Sequence, residues 1–180
     1  MNLSARDIAS MDAVHELLEI VKNSGVDPGR IVFEITETAL VCDFEQAKNA
    51  LHELHAIGTK IALDDFGTGH SSLSHLRLLP IDKLKIDSSF ISDILTNHTS
   101  EDIVRTLIRL CDNMRIGCVI EGIETEAQFQ KVCDLGGQFL QGYYFARPMP
   151  LVDVAAHLMS EQLAENPMLQ SVVAKAQLGN

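Results

Sequence analysis

Lys60-Ile61-Ala62-Leu63-Asp64-Asp65-Phe66-Gly67-Thr68-Gly69 runs from an apolar stretch of strand length into two carboxylates and a glycine-bearing turn. Extended neighbours point to opposite faces, so Asp64 and Asp65 can serve one site only where the strand breaks. The following Phe66-Gly67-Thr68-Gly69 supplies that break. The same kind of ending recurs along the chain. Arg30-Ile31-Val32-Phe33-Glu34-Ile35-Thr36 reads as a strand interrupted by Glu34, and Lys83-Leu84-Lys85-Ile86 as one interrupted by Lys85. Gly117-Cys118-Val119-Ile120 leads into Glu121, and Gln138-Phe139-Leu140 into Gln141.

Helical spacing fills the intervals. Met11, Val14, Leu17, Leu18 and Val21 follow the N-cap candidate Ser10 and stop at Gly25; Phe44, Ala47, Leu51 and Leu54 stop at Gly58. A short helical segment lies near Ser72 to Leu78, and a long one carries Ile103, Val104, Leu107, Ile108, Cys111 and Met114. Thr125 and Gln128 form a capping-box pattern, and a last helix is expected from about Leu151 to Leu163. Strand and helix alternating without interruption imply parallel pairing with right-handed crossovers. In such sheets the carboxyl ends of the strands share one rim, and in a β/α barrel that rim is where chemistry is done. The expected fold class is therefore α/β, a TIM-type β/α barrel. Residues 1–160 form its one domain and 161–180 a peripheral tail.

Composition narrows the function. At 180 residues, with 46% apolar and 22% charged residues, the chain can bury a sizeable core. No uncharged stretch reaches the length of a membrane span, and Met1 to Arg6 contain no signal-peptide core. Cys42, Cys111, Cys118 and Cys133 lack any Cys-x-x-Cys spacing and read as reduced thiols of a cytoplasmic protein. A formal charge of −11 argues against a DNA or RNA duplex as partner. It allows a small phosphodiester, provided divalent metal ions stand between carboxylates and phosphate.

Each rim residue has a plain structural reading beside the chemical one. Glu34 in an apolar strand is costly unless paired or metal-bound, so a buried salt bridge is the alternative. Asp64-Asp65 could be an acidic turn. Lys85 and Asp87, two apart, share a face; Lys85 either balances charge, or positions a water and neutralises an oxyanion. Glu121, between Ile120 and Gly122, suits a general base with a shifted pKa.

The ordered set Asn2-Leu3-Ser4-Ala5-Arg6, Glu34-Ile35-Thr36-Glu37, Asp64-Asp65-Phe66-Gly67-Thr68-Gly69, Ser71-Ser72-Leu73, Lys85-Ile86-Asp87, Glu121-Gly122-Ile123-Glu124-Thr125 and Gln141-Gly142-Tyr143 resembles the EAL-type cyclic-di-GMP phosphodiesterases. The resemblance covers residue 2 to about residue 150. It implies a β/α barrel that hydrolyses cyclic di-GMP to linear pGpG with two Mg²⁺ or Mn²⁺ ions. By position, Asn2, Glu34 and Asp64 match metal ligands, and Asp65 the ligand of the second metal. Lys85 matches the residue holding the catalytic water, and Glu121 the proposed general base. Asp87, Glu124 and Gln141 match further site positions, and Glu37 the anchor of the loop that begins at Asp65. The family often pairs through the helix and loop after the Asp-Asp strand, so a homodimer is expected.

The chain departs from the family at its front. No Glu-Ala-Leu motif precedes Asn2, and Glu53-Leu54-His55 lies on a helix. Five clear strands and the stub at Asn2-Leu3 leave about the first two strands of a barrel missing, so Met1 is expected to be internal to a longer protein. The alternative functions are a module that binds cyclic di-GMP or a protein without turnover, or a gene fragment. Trp is absent and Tyr occurs only at Tyr143 and Tyr144, so no base-stacking platform is evident. His52, His55, His70 and His75 read as surface or packing residues.

Overall fold

The computed structural model describes residues 1–40, 43–67 and 73–154. In chain order the elements are β1 (Asn2–Leu3), α1 (Ala5–Ile8), α2 (Met11–Asn23), β2 (Val32–Thr36), α3 (Phe44–Ala56), β3 (Lys60–Phe66), α4 (Leu73–Leu76), β4 (Lys83–Ile86), α5 (Ser89–Ser92), α6 (His98–Met114), β5 (Gly117–Ile120), α7 (Glu126–Asp134) and β6 (Phe139–Leu140). The strands form one six-stranded sheet in the order β1-β2-β3-β4-β5-β6, parallel throughout. An order that never reverses has no switch point, which separates this sheet from doubly wound folds and matches the strand order of a β/α barrel; among the described residues β1 and β6 do not pair, so the sheet is open.

Period two divides the strands into two faces. Phe33, Ile35, Ile61, Leu63, Leu84, Ile86, Cys118 and Ile120 are buried against apolar helix residues such as Val14, Leu18, Leu51, Leu54, Val104, Ile108, Phe129 and Val132. Full burial of one such aliphatic or aromatic side chain stabilises by roughly 1.5–3 kcal/mol, so a one-residue slip in any strand is strongly disfavoured. Side chains of the opposite parity, Val32, Glu34, Ala62, Lys83, Lys85, Val119, Phe139 and Gln141, line a cavity of about 240 Å³ with Leu140.

Caps set the helix starts. Ser10 Oγ accepts from Ala13 N–H, Asp43 Oδ1 from Gln46 N–H, and Asn97 Oδ1 from Thr99 N–H. The expected capping box is present: Gln128 N–H donates to Thr125 Oγ1, and Gln128 Oε1 accepts from Thr125 N–H at 3.0 Å. Gln128 also donates to the Ile91 carbonyl, which ties α7 to α5.

Several boundaries differ from the sequence expectation: Gln138 precedes β6, and α4 ends at Leu76 rather than Leu78. Arg30 and Ile31 precede β2 rather than begin it, because Asp27 caps a 3₁₀ turn over Pro28–Arg30 with proline at its start. β3 continues past Asp64 to Phe66, which still pairs with Ile86 across an irregularity in register. Most of the last expected helix, and the tail 161–180, lie outside the described residues. Among the described residues no helix is long and apolar enough to cross a membrane.

Candidate active site at the carboxyl rim

Glu34 on β2, Asp64 on β3, Lys85 on β4 and Glu121 directly after β5 come from four neighbouring strands, and the parallel register brings their ends together. The Lys85 ammonium donates to Glu34 Oε2 at 3.1 Å and Asp64 Oδ2 at 3.0 Å, and forms an ion pair with Glu121 Oε1 at 2.8 Å. Lys85 is only 6% exposed. Burial works against its charge, but the bonds to Glu121, Asp64 and Glu34 outweigh it and hold the ammonium well above the ordinary lysine pKa. Burial pushes the Glu121 carboxyl up; Lys85 pulls it back, and repulsion from Asp64 and Glu34 raises it again, leaving it above its usual value.

The adjacent aspartates reach the same rim through a break in the strand. Pairing with β4 slips between Leu63 and Phe66, and Asp65 takes a left-handed φ of 56° with its N–H on Asp64 Oδ1. Asp is among the few residues that tolerate this conformation. Burial, then repulsion by Asp64 and Asp87, raises the Asp65 pKa against the pull of Lys85. Asp65 and Asp87 therefore lie within electrostatic reach of the central cluster. The Asp87 carboxylate also accepts from Ser89 N–H at the start of α5.

Glu37, 3% exposed, accepts from Gly67 N–H at the start of the loop that leaves β3. Thr68, Gly69, His70, Ser71 and Ser72 lie outside the described residues. Asn2 stands opposite Glu34 in the β1–β2 register and is exposed; Met1 beside it is held by bonds to Val32 and Glu34 backbone. Gln141 lines the cavity with Glu34 and Lys85. Glu124 is exposed, and its backbone N–H donates to Gln128 Oε1.

Sequence reading missed Ser88. A Cβ on Gly122, whose φ is +77°, would lie 2.5 Å from Ser88 Cβ, so the turn after Glu121 is packed on the turn after β4. A Cβ on Gly142 would likewise lie 2.0 Å from the Ile123 carbonyl oxygen. The signal was a glycine directly after Glu121 and directly after Gln141. His52, His55 and His75 lie away from the cluster: His75 stacks on Phe44, His52 contacts the Leu78 carbonyl and His55 faces Asp82.

The donor set is hard oxygen, which suits Mg²⁺ or Mn²⁺. Yet among the described residues no group of three His, Cys, Asp or Glu side chains is arranged, as it stands, to hold a metal ion. The point on which three carboxylates converge is taken by Lys85.

The family model described as EAL domain matches residues 1–148. The chain is 33% identical over 172 residues to the Cyclic di-GMP phosphodiesterase NbdA of Pseudomonas aeruginosa, covering 96% of this chain and 22% of that protein. The solved PaMucR phosphodiesterase in complex with c-di-GMP matches with a TM-score of 0.80 at 35% identity, over 85% of this chain and 62% of that one. The manganese and cyclic-di-GMP complex of Klebsiella pneumoniae BlrP1 matches with a TM-score of 0.76 at 34% identity, over 82% and 38%. The chain spans 21%, 19% and 23% of the length of three further curated relatives.

Proposed function

The chain belongs to the EAL domain family, and on that premise we propose that it carries the metal-dependent hydrolysis of cyclic di-GMP to linear pGpG, in the cytoplasm. One observation carries this reading: carboxylates from three strands and a buried lysine meet within 2.8–3.1 Å at the carboxyl rim. A purely structural salt bridge needs one acid, not three.

In this proposal Asn2, Glu34 and Asp64 hold one Mg²⁺ or Mn²⁺ ion and Asp65 serves the second. When bound, such a pair supplies a water of lowered pKa and stabilises the leaving oxygen of an in-line displacement. Glu121 takes the proton of the attacking water, a role suited to a carboxyl whose proton affinity burial has raised. The water oxygen bonds to phosphorus, the P–O3′ bond breaks with its electron pair on the departing 3′-oxygen, and that oxygen takes a proton from solvent water. Lys85 positions the water and offsets charge that grows on the phosphoryl oxygens. Asp87, Glu124 and Gln141 serve as further contacts of the site, and Glu37 holds the loop after Asp65. The reading includes a homodimer, as the family resemblance implies.

The test is incubation of the purified chain with cyclic di-GMP and Mg²⁺ or Mn²⁺, following pGpG by chromatography. Turnover that disappears in Glu121→Gln supports the reading. A folded chain that binds cyclic di-GMP without turnover would instead make it a binding module.

A further inference from the structure

We propose that Lys85 and a divalent cation compete for the same carboxylate oxygens, so that metal entry at the rim must dislodge the Lys85 ammonium from the point between Glu34, Asp64 and Glu121. The inference rests on the reading of this rim as a metal site and goes beyond it by assigning Lys85 a second role.

The geometry motivates it. Glu34 Oε2, Asp64 Oδ2 and Glu121 Oε1 stand 3.1, 3.0 and 2.8 Å from one nitrogen. Those are hydrogen-bonding distances, whereas Mg²⁺ requires its oxygens at about 2.0–2.1 Å. Glu34 and Asp64, the two of these carboxylates assigned to the metal, must therefore draw in by roughly 1 Å, and an ammonium between them prevents that. The absence of a ready three-ligand cluster among the described residues agrees with this arrangement.

Charge supplies the driving force for exchange. Three carboxylates around one ammonium leave net negative charge, and Asp65 and Asp87 lie close enough to add to it. A dication offsets that charge better than a monocation. Lys85, 6% exposed on a central strand, has little room to withdraw into solvent. Once dislodged, its ammonium stays beside the cluster and is free to donate to a water or a phosphoryl oxygen. Loading the metal and releasing Lys85 for that task are then one event. The lysine also serves as the internal counterion that lets so many acids share one rim in the metal-free protein.

The test is a Mn²⁺ titration of the full chain after chelator treatment, read from the electron paramagnetic resonance signal of free Mn²⁺. Thermal melts with and without metal accompany it. Lys85→Met is expected to bind Mn²⁺ at least tenfold tighter than the unaltered chain, to melt lower without metal, and to gain more from metal. Lys60→Met removes a positive charge paired with Asp82 away from the rim, and is expected to leave Mn²⁺ affinity unchanged. Equal or weaker binding by Lys85→Met, or equal tightening by Lys60→Met, overturns the competition while leaving the metal site standing. Binding by neither the unaltered chain nor Lys85→Met overturns the metal site as well. If Lys85→Met fails to fold, Lys85→Gln, whose amide can still donate to a carboxylate, carries the same criteria.

Discussion

Ser88 packs so closely against Gly122 that a Cβ on the glycine would lie 2.5 Å from the serine Cβ and 3.0 Å from its Cα. This contact joins the turns after β4 and β5, and so fixes the separation of the residues just before them, Lys85 and Glu121. Gly122→Ala should lower stability by about 1–3 kcal/mol through clash and positive-φ strain. It should reduce kcat at least tenfold with a smaller change in KM. The double variant Gly122→Ala with Ser88→Gly relieves the Cβ clash and should recover part of kcat. Steady-state kinetics and thermal melts check both; an unchanged kcat in the single variant would show that the contact does not place Glu121.

Glu37 is buried and receives the Gly67 N–H. Glu37→Ala leaves that donor without its partner and should cost about 1–3 kcal/mol. Because the affected loop begins beside Asp65, the activity loss should exceed what the stability loss explains. Assays run well below the melting temperature of the variant separate the two effects.

Asp82 occupies the opposite end of the sheet. Its carboxylate accepts from Ile61 N–H and Lys60 Nζ, each at 2.9 Å, and faces His55 at 3.4 Å. Contacts at the amino ends of barrel strands serve stability rather than chemistry. Asp82→Ala should therefore lower stability by about 2–4 kcal/mol while leaving KM unchanged. Denaturant titration beside steady-state kinetics reads this directly.

Glu101 joins α6 to α7 through Lys131 Nζ at 2.7 Å. The hydrogen bond from Lys131, reinforced by Lys131 and Arg105 charge, holds the Glu101 carboxyl below its ordinary value. A carboxyl depressed on folding contributes stability above its unfolded pKa, about 4.3, and loses it as pH falls toward the folded value. Glu101→Gln should therefore show a smaller drop in Tm between about pH 5 and pH 3 than the unaltered chain. Equal drops would mean that the ion pair contributes nothing to acid sensitivity.

Local patterns made much of this molecule legible. β4 and β5 begin and end where apolar alternation places them, and Thr125 with Gln128 marks the start of α7. These signals lie within a few residues of what they predict. Polar residues at successive strand ends likewise announced a rim before any pairing was known, because burying them singly would be costly. The ordered motifs pointed to the family for the same reason: each is a short stretch read without its partners.

Which groups meet is a different kind of information. Lys85 bonds to residues 51 and 21 positions before it and pairs with Glu121 far downstream, and nothing in Leu84-Lys85-Ile86 selects among the acids of the chain. Selection comes from the register of four parallel strands, set by burying Phe33, Leu63, Leu84 and Ile120 on the other face. The left-handed turn at Asp65 and the Ser88–Gly122 contact depend on the same packing. The sequence by itself determined which side chains stand at the rim, since period two and strand ends are local properties. Only the tertiary structure decided that Lys85 lies at the centre of three carboxylates, because that follows from the lateral spacing of strands separated by whole helices.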